Sequence, residues 1–401
     1  MAGPESSLLS PQWAGTPVAE LTSDRVVLQY FMDVERAWLE VLARNGLEVS
    51  ATLAALEELE VTNEWASAVA QHSWQAGNPA VGFVQHVRGA LSDGARAEDV
   101  FHRGLTSQDI VDTAMMMMAK SVLLQIRADI HQAGVSLANL SPDWSQTICV
   151  TKTLTRHAEP SALGFRFATW LGAVVDALEI IDEQVPRLRV QLAGAVGNRA
   201  AMAELSEEVE ANSLVADMAR TLKLGGPTEA WHSNRIPALS LSYTLAAAAS
   251  SLGTIAHNLI ALGRPEVGEL IENVPPGQGT SSAMPHKKNP TRSILAHSVT
   301  VRIPGVLAQI QAAAAPVAER GEGQWNAEWE PLRDLMRLVA GQAHHTREVL
   351  GNLRVDEDAV ASNLAHAGLA DVGLSDQALA QMDSERDQIV ARFSSLRKDI
   401  S

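Results

Sequence analysis

The sequence predicts an all-α fold, and three observations carry that expectation. Alanine and leucine are abundant while aromatic residues make up only 4% of the 401 residues, a composition that suits helices better than sheets. Apolar residues recur at helical spacing in long runs. Nowhere does an apolar/polar alternation of period two last long enough for a sheet, and no solenoid repeat is present.

The first run covers residues 25–60, with Asn45-Gly46 inside it as a stop signal. Further helical runs follow at about 107–135, 160–190, 205–223, 238–263, 291–316 and 330–352. Those at 238–263 and 291–316 carry small or apolar residues on most faces, so they require burial all round, as in a long bundle shared between subunits. The four methionines 115–118 read as adaptable core packing. Composition changes near 98–106 and 352–354 divide the chain into three: an N-terminal helical domain (1–105), a central helical-bundle domain (106–351) and a short C-terminal helical domain (352–401).

Composition also bounds function. A chain that is 46% hydrophobic and 19% charged is that of a soluble globular protein with a substantial core. Its net charge of −16 argues against nucleic acid or an anionic membrane as a partner. An anionic substrate would therefore need a local basic pocket. The single Cys149 excludes an intramolecular disulfide. The start of the chain lacks the charged and apolar regions of a secretion signal, and the apolar stretch 241–262 is interrupted by Ser242, Tyr243, Ser250, Ser251, His257 and Asn258. A buried core helix in a cytoplasmic protein is the expectation. No phosphate loop, dinucleotide fingerprint or metal-ligand cluster is present, so no cofactor is expected.

Three segments carry chemistry. Residues 277–290 read GQGTSSAMPHKKNP, a glycine-bearing loop that brings hydroxyl oxygens beside Lys287 and Lys288. Gly277 and Gly279 permit φ values closed to other residues, and Asn289-Pro290 reads as the N-cap and first residue of the next helix, whose free N–H donors would complete an anion site. Residues 99–114 place His102, Arg103 and Gly104 before Thr106 and Ser107 at the start of a long helix, where Thr106 and Asp109 could equally form a capping box. Residues 151–165 cluster Lys152, Arg156 and His157 ahead of a helix opened by Pro160.

Together these segments resemble the three common regions of the fumarase/aspartase superfamily. The signature GSSxMPxKxNP is matched by Gly279, Ser281, Ser282, Met284, Pro285, Lys287, Asn289 and Pro290, with Thr280 inserted. HxGxTSxD is matched by His102, Gly104, Thr106, Ser107 and Asp109. The second region, GRTHGxHAxPT in adenylosuccinate lyases, is matched through Thr153, His157, Ala158, Pro160 and, loosely, Ser161. Leu154 stands where the aminolyases place a histidine, and leucine cannot transfer a proton. An enzyme that expels an amine needs a general acid there; one that expels or captures a carboxylate does not. Residues 231–235 (WHSNR) and Trp325, Ala327, Glu328 and Trp329 are similar to elements of the 3-carboxy-cis,cis-muconate cycloisomerases.

The resemblance implies a homotetramer whose sites are assembled from loops of three subunits, acting on an anionic tricarboxylate. The implied reaction is lactonisation of 3-carboxy-cis,cis-muconate through an aci-carboxylate, a step of aromatic degradation in the β-ketoadipate pathway. It gives Ser281 the proton transfer and Lys287 and Asn289 the stabilisation of the intermediate. Thr106, Ser107, Ser282 and Met284 bind substrate, Arg235 clamps charge, and His102 and His157 bind carboxylate or orient a neighbour. Lys152, Arg156 and Lys288 supply field. Two alternatives stay open: a fumarate-releasing lyase (adenylosuccinate or nitrosuccinate), and a non-catalytic structural tetramer on the same scaffold.

Overall fold

The structure, a computed structural model, describes residues 7–91, 100–205, 210–274, 277–279, 283–284 and 287–396. Helices dominate, as the sequence predicts. The N-terminal part comprises α1 (Pro17–Leu21), α2 (Asp24–Arg44), α3 (Ser50–Glu57), α4 (Asn63–Ala76) and α5 (Pro79–Ala90). The predicted stop divides α2 from α3, with Gly46 in the left-handed region at φ 86°. Caps set the other boundaries: Ser23 Oγ accepts the Val26 N–H, Thr62 Oγ1 that of Trp65, and Asn78 Oδ1 that of Ala80. Phe31, Met32, Trp38 and Leu39 on α2 are fully buried against this layer and the central helices.

The central part is α6 (Ser107–Asp143), the strands β1 (Ile148–Thr153) and β2 (Arg156–Ala162), α7 (Leu163–Gln184), the short α8 (Ala200–Ala203), α9 (Ala211–Thr221), α10 (Ile236–Leu262), the strand β3 (Leu270–Glu272), α11 (Thr291–Ala313) and α12 (Gln324–Leu350). Helices α6, α7, α10, α11 and α12 form the bundle. Small residues let them approach. A Cβ on Gly253 of α10 would lie 2.2 Å from Thr300 Oγ1 of α11, and Gln342 Nε2 of α12 donates to Thr300 Oγ1 at 3.0 Å. Arg127 of α6 holds Asp182 of α7 through two hydrogen bonds.

One expectation is corrected. The helix expected at 160–190 begins at Leu163, and Pro160 lies in an antiparallel hairpin opposite Val150. β1 is rich in β-branched residues, Leu154 and Thr155 turn the chain with φ of 49° and 70°, and in a two-stranded ribbon a proline can sit where no ladder donor is needed. A second small sheet pairs β3 with β4 (Leu353–Val355).

The C-terminal part, α13 (Glu357–His366) and α14 (Asp376–Ser395), folds back on the bundle. Arg392 of α14 is bound to Asp176 and Glu179 of α7, and the Phe393 ring fills a notch left by Gly134, whose Cβ would lie 2.5 Å from it.

The all-round burial expected for α10 and α11 is not met within one chain. Ile236 and Tyr243 on α10 are 60% and 46% exposed, and Ile294 and Val301 on α11 are 46% and 71% exposed. α10 carries no charged residue at all. On α11 the cation beside Val301, Arg302, is paired with Asp334 of α12, so a long face with no free charge on α10 and exposed apolar residues on both helices is left uncovered within one chain.

His345 on α12 supplies a test of this packing. It is buried where Gly341 allows the Gln12 carbonyl so close that a Cβ would lie 2.2 Å from it. Burial, then the charges of His344 and Arg292, push its imidazole down to about 4. The neutral ring is the form that fits. Its stabilisation is fully present above the ordinary value of about 6.5 and is lost as pH falls toward the folded value. Unfolding free energy should drop by roughly 3 kcal/mol across that window, and His345→Leu should flatten the fall; melting temperatures followed from about pH 7 to about pH 4 measure both.

Candidate active site

The loop before α6 is fixed at four points. Arg88 donates to the Phe101 carbonyl at 3.0 Å and Trp38 Nε1 to the Arg103 carbonyl at 2.8 Å. His102, at φ 65°, puts Nδ1 2.7 Å from Glu35 Oε1. The Thr106 N–H donates to Asp109 Oδ2 at 3.0 Å, as a capping box requires. Thr106 and Ser107 are half-buried at the helix start. Arg320, in the loop before α12, donates to Thr106 Oγ1 at 3.2 Å and to the Ala195 carbonyl at 3.1 Å. Arg320 carries no motif signal of its own in the sequence, although it stands five residues before Trp325 in the tryptophan-rich segment 325–329.

Below this loop lie two buried carboxylates one helical turn apart. Asp109 accepts from the N–H groups of Thr106, Ala193 and Gly194 and from His232 Nε2, all at 2.9 to 3.0 Å. Asp112 accepts from Arg235 at 2.7 and 3.1 Å, Trp325 Nε1 at 2.9 Å, Gln108 at 3.1 Å and Gln191 at 3.4 Å. Arg235 also holds Glu328 through two hydrogen bonds and stacks on Trp231. Burial lifts Glu328 above the usual carboxylate range in spite of Arg235, whereas Arg235 is held fully charged by Asp112 and Glu328 against its own burial.

The expectation that Arg235 clamps substrate charge is therefore corrected. Its side chain is 3% exposed and its donors are taken by two internal carboxylates. It joins the WHSNR segment to the tryptophan-rich segment and positions the wall behind Thr106.

The hairpin lies at the other end of α6. A helix of 37 residues is about 55 Å long at 1.5 Å per residue, so Thr106 and His157 of one chain cannot meet. Lys152 approaches buried Glu269 at 3.9 Å, which also holds Arg166 and Asn363. Lys152 and His157 pair across the strands and line a cavity of about 390 Å³ with Asn363 and His366. Arg156 is exposed, and Leu154 at the tip is 95% exposed.

The signature loop springs from β3 at this same end. Gly277 and Gly279 have φ of 84° and 64°, as expected. The Asn289 N–H donates to the Gly279 carbonyl at 3.1 Å, closing the loop. Asn289 does not cap the helix. Glu272 of β3 does, accepting from the N–H groups of Arg292 and Ser293 at 3.0 Å and from Ser293 Oγ at 2.6 Å. An external anion is thus not needed at this terminus, and the anion site expected there reduces to the exposed Lys287 and Lys288. Met284 is 41% exposed; Ser281, Ser282 and Pro285 lie outside the described residues. No group of three or more histidine, cysteine or acidic residues able to hold a metal occurs among the described residues.

The Arg235 network should dominate the stability of this end. Arg235→Leu leaves Asp112 and Glu328 buried without their cation, and a loss of about 3–5 kcal/mol is expected. Chemical denaturation of the variant beside the parent measures it.

Comparison with known proteins agrees with this geometry. Residues 16–305 match the family described as lyase. Nitrosuccinate lyase from Streptomyces davaonensis is 38% identical over 370 residues, which are 91% of this chain and 78% of that protein. The 3-carboxy-cis,cis-muconate cycloisomerase of Pseudomonas aeruginosa is 33% identical over 368 residues, 90% of this chain and 78% of that one. The crystal structure of 3-carboxy-cis,cis-muconate lactonizing enzyme from Pseudomonas putida aligns with a TM-score of 0.81 at 30% identity, over 96% of this chain and 88% of that one. With the family matched from α1 into α11 and such relatives spanning nine-tenths of the chain, this protein belongs to the lyase family of the fumarase/aspartase superfamily.

Proposed function

We propose that this enzyme is a cycloisomerase that closes 3-carboxy-cis,cis-muconate to its lactone. One carboxylate of the substrate adds to a carbon of the diene, and the carbon alpha to another carboxylate takes a proton. The observation that carries the reading is Leu154 at the exposed hairpin tip. A carboxylate that enters or leaves as a stable anion needs no acid at that place. Ser281 gives the proton to carbon, and Lys287 and Asn289 hold the aci-carboxylate, each well-placed donor lowering the barrier by about 3–4 kcal/mol. Thr106 and Ser107, with Arg320 beside them, receive a substrate carboxylate. Met284 and Ser282 are assigned to substrate binding, and His102 and His157 face substrate from opposite ends of different chains.

The site is completed by self-association into a homotetramer. Two features support this: the length of α6, which separates the motif loops within one chain, and the exposed apolar residues of α10 and α11. The C-terminal pair α13 and α14 is bound to its own bundle and is assigned no part in the exchange. A soluble cytoplasmic setting and a substrate without cofactor fit this reading.

A second reading has its own support. The 38% identity to nitrosuccinate lyase favours elimination of nitrite, another anion that leaves unprotonated, by the same proton transfer in reverse.

Ultraviolet time courses with 3-carboxy-cis,cis-muconate and with nitrosuccinate decide between them. Loss of diene absorbance, reduced at least about a thousandfold in Ser281→Ala, is the expected result; fumarate and nitrite from nitrosuccinate with the diene untouched would select the second reading. Val301→Asp on the exposed face of α11 should break the assembly, so that light scattering gives the 42.9 kDa single-chain mass in place of four times that value and turnover is lost.

A further inference from the structure

Glu35 is an expensive residue to bury. It stands on α2 among Phe31, Trp38 and Leu39, its side chain is wholly inaccessible, and its Oε2 has no hydrogen-bond partner. Its one contact with a polar side chain among the described residues is His102, whose Nδ1 lies 2.7 Å from Oε1. A carboxylate left half-satisfied in an apolar layer is poorly suited to stabilising that layer.

What the contact does is fix a ring. The main chain around His102 is already held by Arg88 and Trp38, through the carbonyls of its two neighbours. The left-handed backbone at φ 65° turns the side chain inward toward α2. An Nδ1–H donated to Oε1 of a carboxylate sets the tautomer and leaves Nε2 as the other polar edge. That edge has no partner among the described residues, and the side chain keeps 18% exposure. Thr106, four residues on, is where the proposed substrate carboxylate docks. When the ring is doubly protonated, Nε2–H donates to such an anion while Glu35 balances the charge from behind.

We propose that Glu35 is a positioning residue for His102, holding the imidazole so that Nε2 is presented to the anionic substrate at the Thr106 loop. The proposal rests on the anion-binding reading above and adds a residue on α2, outside all three motif loops. It separates from a structural role by sign. If Glu35 served the fold, its removal would weaken the protein; as a positioning residue in an apolar layer, its replacement by leucine weakens binding and leaves stability equal or higher.

The test uses the full-length protein in its native assembly and propane-1,2,3-tricarboxylate, an unreactive probe, with binding followed by calorimetry. Glu35→Leu and His102→Leu are each expected to weaken binding about tenfold or more, and the double variant to weaken it no further. Glu35→Gln keeps an acceptor for Nδ1–H and should recover much of the loss. Melting temperature should not fall in Glu35→Leu. Additive losses in the double variant, or a lowered melting temperature with unchanged binding, would overturn the proposal. If the parent protein does not bind the probe, the anion-site reading falls and this inference with it; if the parent binds and Glu35→Leu binds equally, only the inference falls.

Discussion

The fold around the candidate site depends on two carboxylates that water cannot reach. Asp109 and Asp112 lie one turn apart on α6, both essentially inaccessible. Two like charges so placed are tolerable only if fixed donors surround them. Those donors come from segments far apart in sequence: Ala193, Gly194 and Gln191 after α7, His232 and Arg235 before α10, and Trp325 on α12. Satisfying the pair therefore fixes where three connections cross the end of the bundle, and Thr106 is fixed with them through its own N–H. The site inherits its geometry from the need to solvate two buried charges with protein.

The opposite end repeats the device with one carboxylate each time. Glu269 gathers Arg166, Lys152 and Asn363, tying the hairpin to α7 and α13. Glu272, the last residue of β3, caps α11. Positive charge at this end is thereby divided. Lys152 and Arg166 are partly neutralised by the fold, while Lys287 and Lys288 have no ion-pair partner among the described residues. In a chain of net charge −16, cations left uncommitted beside the glycine loop are the ones available to an anionic substrate.

Much of this was legible in the sequence. Helical periodicity located α2, α6, α10, α11 and α12, because long amphipathic or wholly apolar runs have one physical solution, and Gly46, Gly277 and Gly279 occupy the positive φ that their contexts require. Thr106 with Asp109 announced a capping box. The hairpin was missed because Pro160 is ambiguous: it can open a helix or sit in a ribbon, and only the pairing of Val150 with it decides. Asn289-Pro290 misled for a similar reason. A local cap was in the sequence, but a glutamate seventeen residues upstream, with three hydrogen bonds to the helix start, displaced it. Arg235 failed as a substrate clamp because burial is a tertiary property, and nothing in WHSNR reveals that Asp112 and Glu328 wait on two other helices. Glu35 carried no signal at all, since a lone glutamate in an amphipathic helix reads as solvated until its neighbours are known.

The two-ended design also explains why the chain, so extensively cross-linked within itself, leaves a long apolar face open. The carboxylates that gather several segments, Asp109, Asp112, Glu269 and Glu272, stand at the ends of the bundle, where segments must be placed to within a hydrogen bond. Along the exposed middle of α10 and α11, Tyr243 and Val301 lie among small and uncharged polar residues such as Ser250 and Thr254, and the one cation there, Arg302, is already paired with Asp334; in the proposed assembly such a face packs against a copy of itself with little cost of desolvation. An antiparallel copy docked on that face would bring the Thr106 end of one chain toward the hairpin end of another, because both are separated by the same length of α6. In the proposed assembly, specificity resides in the buried carboxylates at the ends and cohesion in the exposed apolar residues of the middle. A substitution in either region would then reach the active site by a different route, the first by misplacing a loop and the second by removing the chain that supplies it.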